Sequence, residues 1–127
     1  MAVFTERIRS TIAEINAGKT LLPALPGLKY RLIEAIAIAY GGAATAVTTV
    51  DVLGTQATAG VKLVAFAQAN LTQSTVLRSG GTGAAVLADG ASHAANDVNT
   101  AITVGKTGSN VATATGIDII LTYAIES

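Results

Sequence analysis

The 127-residue chain is 50% hydrophobic yet only 4% aromatic and 13% charged, with eight basic and eight acidic residues and a formal net charge of zero. That length suits one domain with a real core and leaves no room for two ordinary ones. The dispersed, matched charges exclude the basic footprint of a nucleic-acid binder. The absence of cysteine excludes disulfides and thiolate metal ligands.

In chain order, the recurring signal is period-two alternation of apolar and polar residues. Ile8, Ser10 and Ile12 fall on one face of the first segment, and Arg7, Arg9 and Thr11 on the other. Phe4, Ile8, Ile12 and Ile15 also fit a helix, but the Thr and Ile content and the turn Asn16-Ala17-Gly18 favour a strand. A short strand Lys19–Leu22 follows, and residues 1–22 read as an N-terminal arm or an edge strand. Pro23-Ala24-Leu25-Pro26-Gly27 forms a bend.

The strongest segment runs from Leu28 to Tyr40, with Tyr30, Leu32, Glu34, Ile36 and Ile38 on one face. Glu34 interrupts this apolar row, so a bulge that turns it outward is expected. A helix over Tyr30–Tyr40 is the competing reading. Further strands are expected at Val47–Leu53, Val61–Ala67, Ser74–Arg78, Ala84–Ala88, Thr100–Val104 and Ile117–Ile125. Between them, Ser79–Gly83 reads as a flexible loop, Asp89-Gly90 as a turn and Ala91–Asn99 as a surface loop.

About eight or nine short strands between turn signals predict an all-β fold. The expected form is a single antiparallel β-sandwich over residues 1–127, jelly-roll-like, with an extended N-terminal segment. Tyr30, Leu32, Ile36, Ile38, Ile102, Val104, Ile119, Leu121 and Tyr123 are expected in or near its core. Met1–Arg9 carries charges where a signal peptide needs its apolar region. The longest apolar stretch, Leu32–Tyr40, contains Glu34 and falls short of the ~20 residues that span a bilayer. A soluble, unprocessed chain with no membrane partner is therefore expected.

Candidate sites are few. Gly18-Lys19-Thr20 and Gly105-Lys106-Thr107 resemble the end of a phosphate-binding loop, but Ala13 and Thr100 stand where its first glycine is required. Both triplets are read as strand-connecting turns. Asp89, His93 and Asp97 would share a face if helical, which invites a metal reading. Gly90, Asn96 and Asn99 argue for a loop, where that spacing loses its meaning.

Ser92 or Ser74 with His93 and an aspartate could be drawn as a hydrolase, yet no Gly-x-Ser-x-Gly elbow is present. Glu6, Glu14, Glu34, Asp51, Asp89, Asp97, Asp118 and Glu126 form a glycosidase pair only by tertiary coincidence. Asn70-Leu71-Thr72 matches a glycosylation sequon without a secretory signal. No catalytic, cofactor-binding or metal-binding residue is expected, and no enzymatic activity. A surface so weakly charged is expected to be covered in part by copies of the chain or by a partner.

The run Ile15-Asn16-Ala17-Gly18, followed by Pro23-Ala24-Leu25-Pro26-Gly27-Leu28-Lys29-Tyr30-Arg31, resembles small virion proteins of tailed bacteriophages. Val86-Leu87-Ala88-Asp89-Gly90 and the closing strand Ile117–Glu126 also fit, whereas Leu28 departs from a Lys in that pattern. In size and composition the chain is most similar to head decoration, or capsid cement, proteins. The resemblance implies a non-enzymatic protein on the capsid exterior of the virion, made in the host bacterial cytoplasm. Its implied partners are major capsid protein subunits and copies of itself, as a homotrimer, with no nucleic acid. A tail- or fibre-associated subunit and a carbohydrate-binding adhesin module are the alternatives.

Overall fold

A computed structural model describes residues 2–86 and 91–127. Nine strands are present among them: β1 (Ala2–Thr11), β2 (Lys19–Leu22), β3 (Lys29–Tyr40), β4 (Ala44–Gln56), β5 (Ala59–Ala67), β6 (Val76–Arg78), β7 (Ala84–Val86), β8 (Ile102–Thr113) and β9 (Gly116–Glu126). They form a four-stranded sheet, β1-β9-β3-β6, and a five-stranded sheet, β2-β8-β4-β5-β7, with every strand pair antiparallel. The chain passes from one sheet to the other between β1 and β2, β2 and β3, β3 and β4, β5 and β6, β6 and β7, and β8 and β9. This is the strand order of a jelly roll with β7 added at one edge. The sandwich expected from the alternation is the observed fold.

Within residues 2–22 the chain takes the edge-strand form of the two alternatives. β1 is an edge strand paired with β9 from Ala2 to Thr11, and β2 lies at an edge of the second sheet. Between them, Ile12–Ala17 is a short helix, α1, where the alternation predicted strand up to Ile12. Its start is a capping box. Thr11 Oγ1 accepts from the Glu14 backbone N–H (3.2 Å), and the Thr11 N–H donates to Glu14 Oε1 (2.9 Å). Gly18, at φ 86°, ends the helix in a conformation that an L side chain rarely adopts. The helix buries Ile15 completely.

The bulge expected near Glu34 is present, and it rearranges the core. Leu32 lies opposite Tyr123 and Glu34 opposite Thr122, so Ile33 is the extra residue. One extra residue moves the inward face from even to odd positions. Before it, Tyr30 and Leu32 are buried; after it, Ala35, Ala37 and Ala39 are. Ile36 and Ile38, expected in the core, lie instead on the outer face and are half-buried. Leu32, Ile102, Val104, Ile119 and Leu121 are buried as expected, and Tyr123 packs partly buried against them. The row of small Ala side chains shares one cluster with Phe66, Leu63 and Leu71, among the largest fully buried side chains.

Several expected loops are ordered differently. β8 continues through Gly105-Lys106-Thr107 to Thr113, so this triplet is mid-strand and not a turn. β4 and β5 also extend beyond their expected limits and meet at Ala57-Thr58, which has φ 52° and 62°. Positive φ at two non-glycine residues is costly. The Asp97 carboxylate holds this turn by accepting from the Ala57 and Thr58 backbone N–H groups (3.1 and 2.7 Å). The stretch Ala91–Asn99 is not a plain surface loop, because Ser92 and Asn96 are buried. Asn96 donates from its backbone (2.7 Å) and side chain (3.2 Å) to the Tyr30 carbonyl. The expected turn Asp89-Gly90 and the end of the strand Ala84–Ala88 lie outside the described residues.

Candidate functional site

The outer face of the β1-β9-β3-β6 sheet is built by the β3 bulge. The strand registers lay out two rows across it. Val76, Ile38, Asp118 and Arg9 form one, and Arg78, Ile36, Ile120 and Arg7 the next. Ile36, Ile38 and Ile120 are half-buried, while Val76 and Ile33 are 49% and 41% exposed. The result is an apolar centre on a solvent-facing sheet.

Ion pairs rim this centre. Arg9 Nε and Nη2 donate to Asp118 Oδ1 and Oδ2 at 2.8 and 3.0 Å, and Arg7 Nη2 donates to Oδ2 at 3.0 Å. The Arg9 guanidinium also lies 4.2 Å from the centroid of the Tyr40 ring, a cation–π contact. Arg31 forms a two-pronged pair with Glu126 (2.8 and 3.2 Å), and Arg78 meets Glu34 at 3.3 Å. An apolar centre with a charged, self-satisfied rim is the usual anatomy of a protein-binding surface.

The hydrogen bonds from Arg9, joined by those from Arg7, hold the Asp118 carboxyl below the usual carboxylate range against the opposing effect of burial. The bond from Arg31 does the same for Glu126, and the Thr11 backbone N–H for Glu14. A carboxyl with a lowered folded pKa contributes stability above its unfolded value, about 4, and loses it as pH falls through the folded value. Unfolding midpoints are therefore expected to drop below about pH 4, with a shallower acid decline in Asp118→Asn. Denaturant titrations from pH 7 to pH 2 check this, and an unchanged slope in the variant would show that the Asp118 pairs do not couple to folding.

Ser74 and His93, singled out from sequence, are not brought together. Ser74 donates its backbone N–H to the Ala39 carbonyl, whereas His93 Nδ1 lies 3.3 Å from the Leu32 carbonyl. These anchors are separated by seven steps of one strand, roughly 23 Å. Asp97 is engaged by the Ala57-Thr58 turn, and Asp89 lies outside the described residues. Among the described residues no group of three or more His, Asp or Glu side chains is placed to hold a metal ion. Asn70 packs its side chain against Gly83, and Leu71 of the same sequon is fully buried.

Two polar clusters are assembled only by the fold. Asp51, on the outer face of the second sheet, is 1% exposed. It accepts from Thr49 Oγ1 (2.7 Å) and Thr107 Oγ1 (2.6 Å), with Lys62 Nζ at 3.9 Å and donating to Thr107 Oγ1. Gly105 lies directly opposite Asp51 on β8. A cavity of about 560 Å³ is lined by Lys29, Thr55, Thr58, Asn96, Asp97 and Thr100, but Asn96 and Asp97 are committed to the backbone contacts described above.

No family model, curated protein or solved structure matches the chain.

Proposed function

We propose that this protein is a non-enzymatic structural subunit of a tailed-phage virion, which decorates the capsid exterior by docking on major capsid protein subunits. The observation that carries this reading is the outer face of the β1-β9-β3-β6 sheet, where Ile36, Ile38, Ile120 and Val76 are encircled by paired charges. The phage-like pattern around Asn16-Ala17-Gly18 and Pro26-Gly27 supports the virion setting. A subunit that binds only the assembled shell stabilises it by mass action, and contacts from several copies slow its release.

Cryo-electron microscopy of purified virions tests the location. Density on the capsid exterior is expected; density confined to the tail, or absence from the particle, overturns the reading. The double variant Ile36→Glu/Ile120→Glu is expected to lower capsid occupancy at least ~30-fold, as for loss of a central hot spot. Its unfolding transition should remain cooperative, because both side chains lie outside the core.

One observation favours the adhesin alternative. Phe4 is 44% exposed and stacks at 5.7 Å on Tyr123, which meets Tyr30 edge-on at 5.6 Å. Of the three rings only Phe4 is exposed, and it offers an apolar face to a sugar ring. Sugar-competable binding on a glycan array, lost in Phe4→Ala, would move the assignment there.

A further inference from the structure

The four sheet edges are unequal. β2, β6 and β7 have four, three and three residues, and β2 carries a register shift. β1 has ten residues, no proline, and an unbroken register against β9. Proteins blunt exposed edges with shortness, bulges, proline or charged side chains, because unpaired backbone groups template further pairing. Only β1 lacks the first three, and its charges are Glu6, Arg7 and Arg9. Val3, Phe4, Thr5, Glu6 and Arg7 are all exposed, and Val3 at 54% and Phe4 at 44% are among the most exposed large hydrophobic side chains described.

The orientation of the free edge follows from two contacts. The Ser10 carbonyl faces β9, since a Cβ on Gly116 would strike it, whereas the Arg9 carbonyl accepts from Lys19 Nζ (3.2 Å) outside the sheet. Backbone groups alternate along an antiparallel strand. Val3, Thr5 and Arg7 therefore present their N–H and C=O groups outward, as Arg9 does.

We infer that β1 pairs with β1 of a second copy, antiparallel about a two-fold axis at Thr5, joining two four-stranded sheets into one of eight. Charge excludes the registers whose axis lies on the C-terminal side of Thr5. An axis at Glu6 sets Glu6 against Glu6 of the other copy, an axis at Arg7 sets Arg7 against Arg7, and an axis at Ile8 sets Arg7 against Arg9. Like charges directly opposite are destabilising. An axis at Thr5 places Thr5 against Thr5, Val3 against Arg7 and Phe4 against Glu6, and uses Val3, Thr5 and Arg7 in about six backbone hydrogen bonds. It also covers Val3 and Phe4. Such a two-fold contact is isologous and closes at two copies. It does not rest on the virion role, since it forms between copies in solution.

Native mass spectrometry and sedimentation equilibrium over a micromolar to millimolar range test it on the whole chain, with a dimer expected. Proline is tolerated on an edge strand where its missing N–H faced solvent. Thr5→Pro should therefore raise the dimer dissociation constant at least ~30-fold while leaving the β9 ladder intact. The chain has no cysteine. Thr5→Cys should consequently oxidise to a disulfide-linked dimer, because hydrogen-bonded antiparallel partners lie about 5.5 Å apart at Cα, within disulfide range. Arg7→Cys, displaced by four residues from its own copy, should not. A monomer throughout, a trimer, Arg7→Cys linking as fast as Thr5→Cys, or a dimer dissolved by Ile36→Glu but not by Thr5→Pro overturns the inference. The Thr5→Cys cross-link decides the matter even if Thr5→Pro fails to fold.

Discussion

Leu121→Ala is expected to lower stability by about 2–5 kcal/mol, whereas Ile36→Ala should cost less than about 1 kcal/mol. From composition and alternation the two positions look alike, and the isoleucine even belongs to the longer apolar run. Leu121 is fully buried on the inner face of β9, in the cluster shared with Leu32, Ile119 and Phe66. Truncating it leaves a cavity that close-packed neighbours fill only in part. Ile36 stands beyond the bulge on the outer face, where it is only partly buried. Urea denaturation of the two variants, with unchanged dependence on denaturant concentration, measures the difference directly. Equal losses would mean that the inward face of β3 does not switch at Ile33.

Gly116→Ala is expected to cost about 3 kcal/mol or to prevent folding, although it adds one methyl group. Gly116 begins β9 between Thr11 of β1 and Tyr40 of β3. A Cβ there overlaps the Ser10 backbone carbonyl and the Tyr40 hydroxyl. The ring can swing, at the expense of its contact with Arg9, but the carbonyl moves only if β1 separates from β9. Gly60 on β5 provides the comparison, since a Cβ there meets nothing within 4 Å. Gly60→Ala should be neutral or slightly stabilising through a less flexible unfolded chain. Thermal unfolding of both variants checks the pair, and similar midpoints would rule out the steric account of Gly116.

The amino-acid pattern carried the sandwich because alternation is a local property. Ile117, Ile119 and Leu121 against Asp118, Ile120 and Thr122 declare a strand whichever neighbours it finds. Turn chemistry at Gly41-Gly42 likewise divides β3 from β4 without reference to the rest of the fold. Even the bulge was legible, because a carboxylate at position 34 in an apolar row needs an outlet. Its consequence was not. The face taken by Ile36 and Ile38 depends on how many residues β3 sets against β9, which is a property of the pair.

The same distinction explains the other departures. Gly105-Lys106-Thr107 looks like a turn until β8 is paired with β4, where Gly105 stands opposite Asp51 and Thr107 donates its hydroxyl to that buried carboxylate. Ala57 and Thr58 carry no turn signal of their own, and their positive φ is held from a distance by Asp97. Ser92 and Asn96 read as loop residues because polar side chains are ordinarily solvated, yet Asn96 is buried with its side chain donating to the Tyr30 carbonyl. The sequence by itself determined that the chain forms alternating strands around an aliphatic core. The tertiary structure alone decided which isoleucines face water, which edge stays open and which charges pair, because each depends on register between strands far apart in the chain.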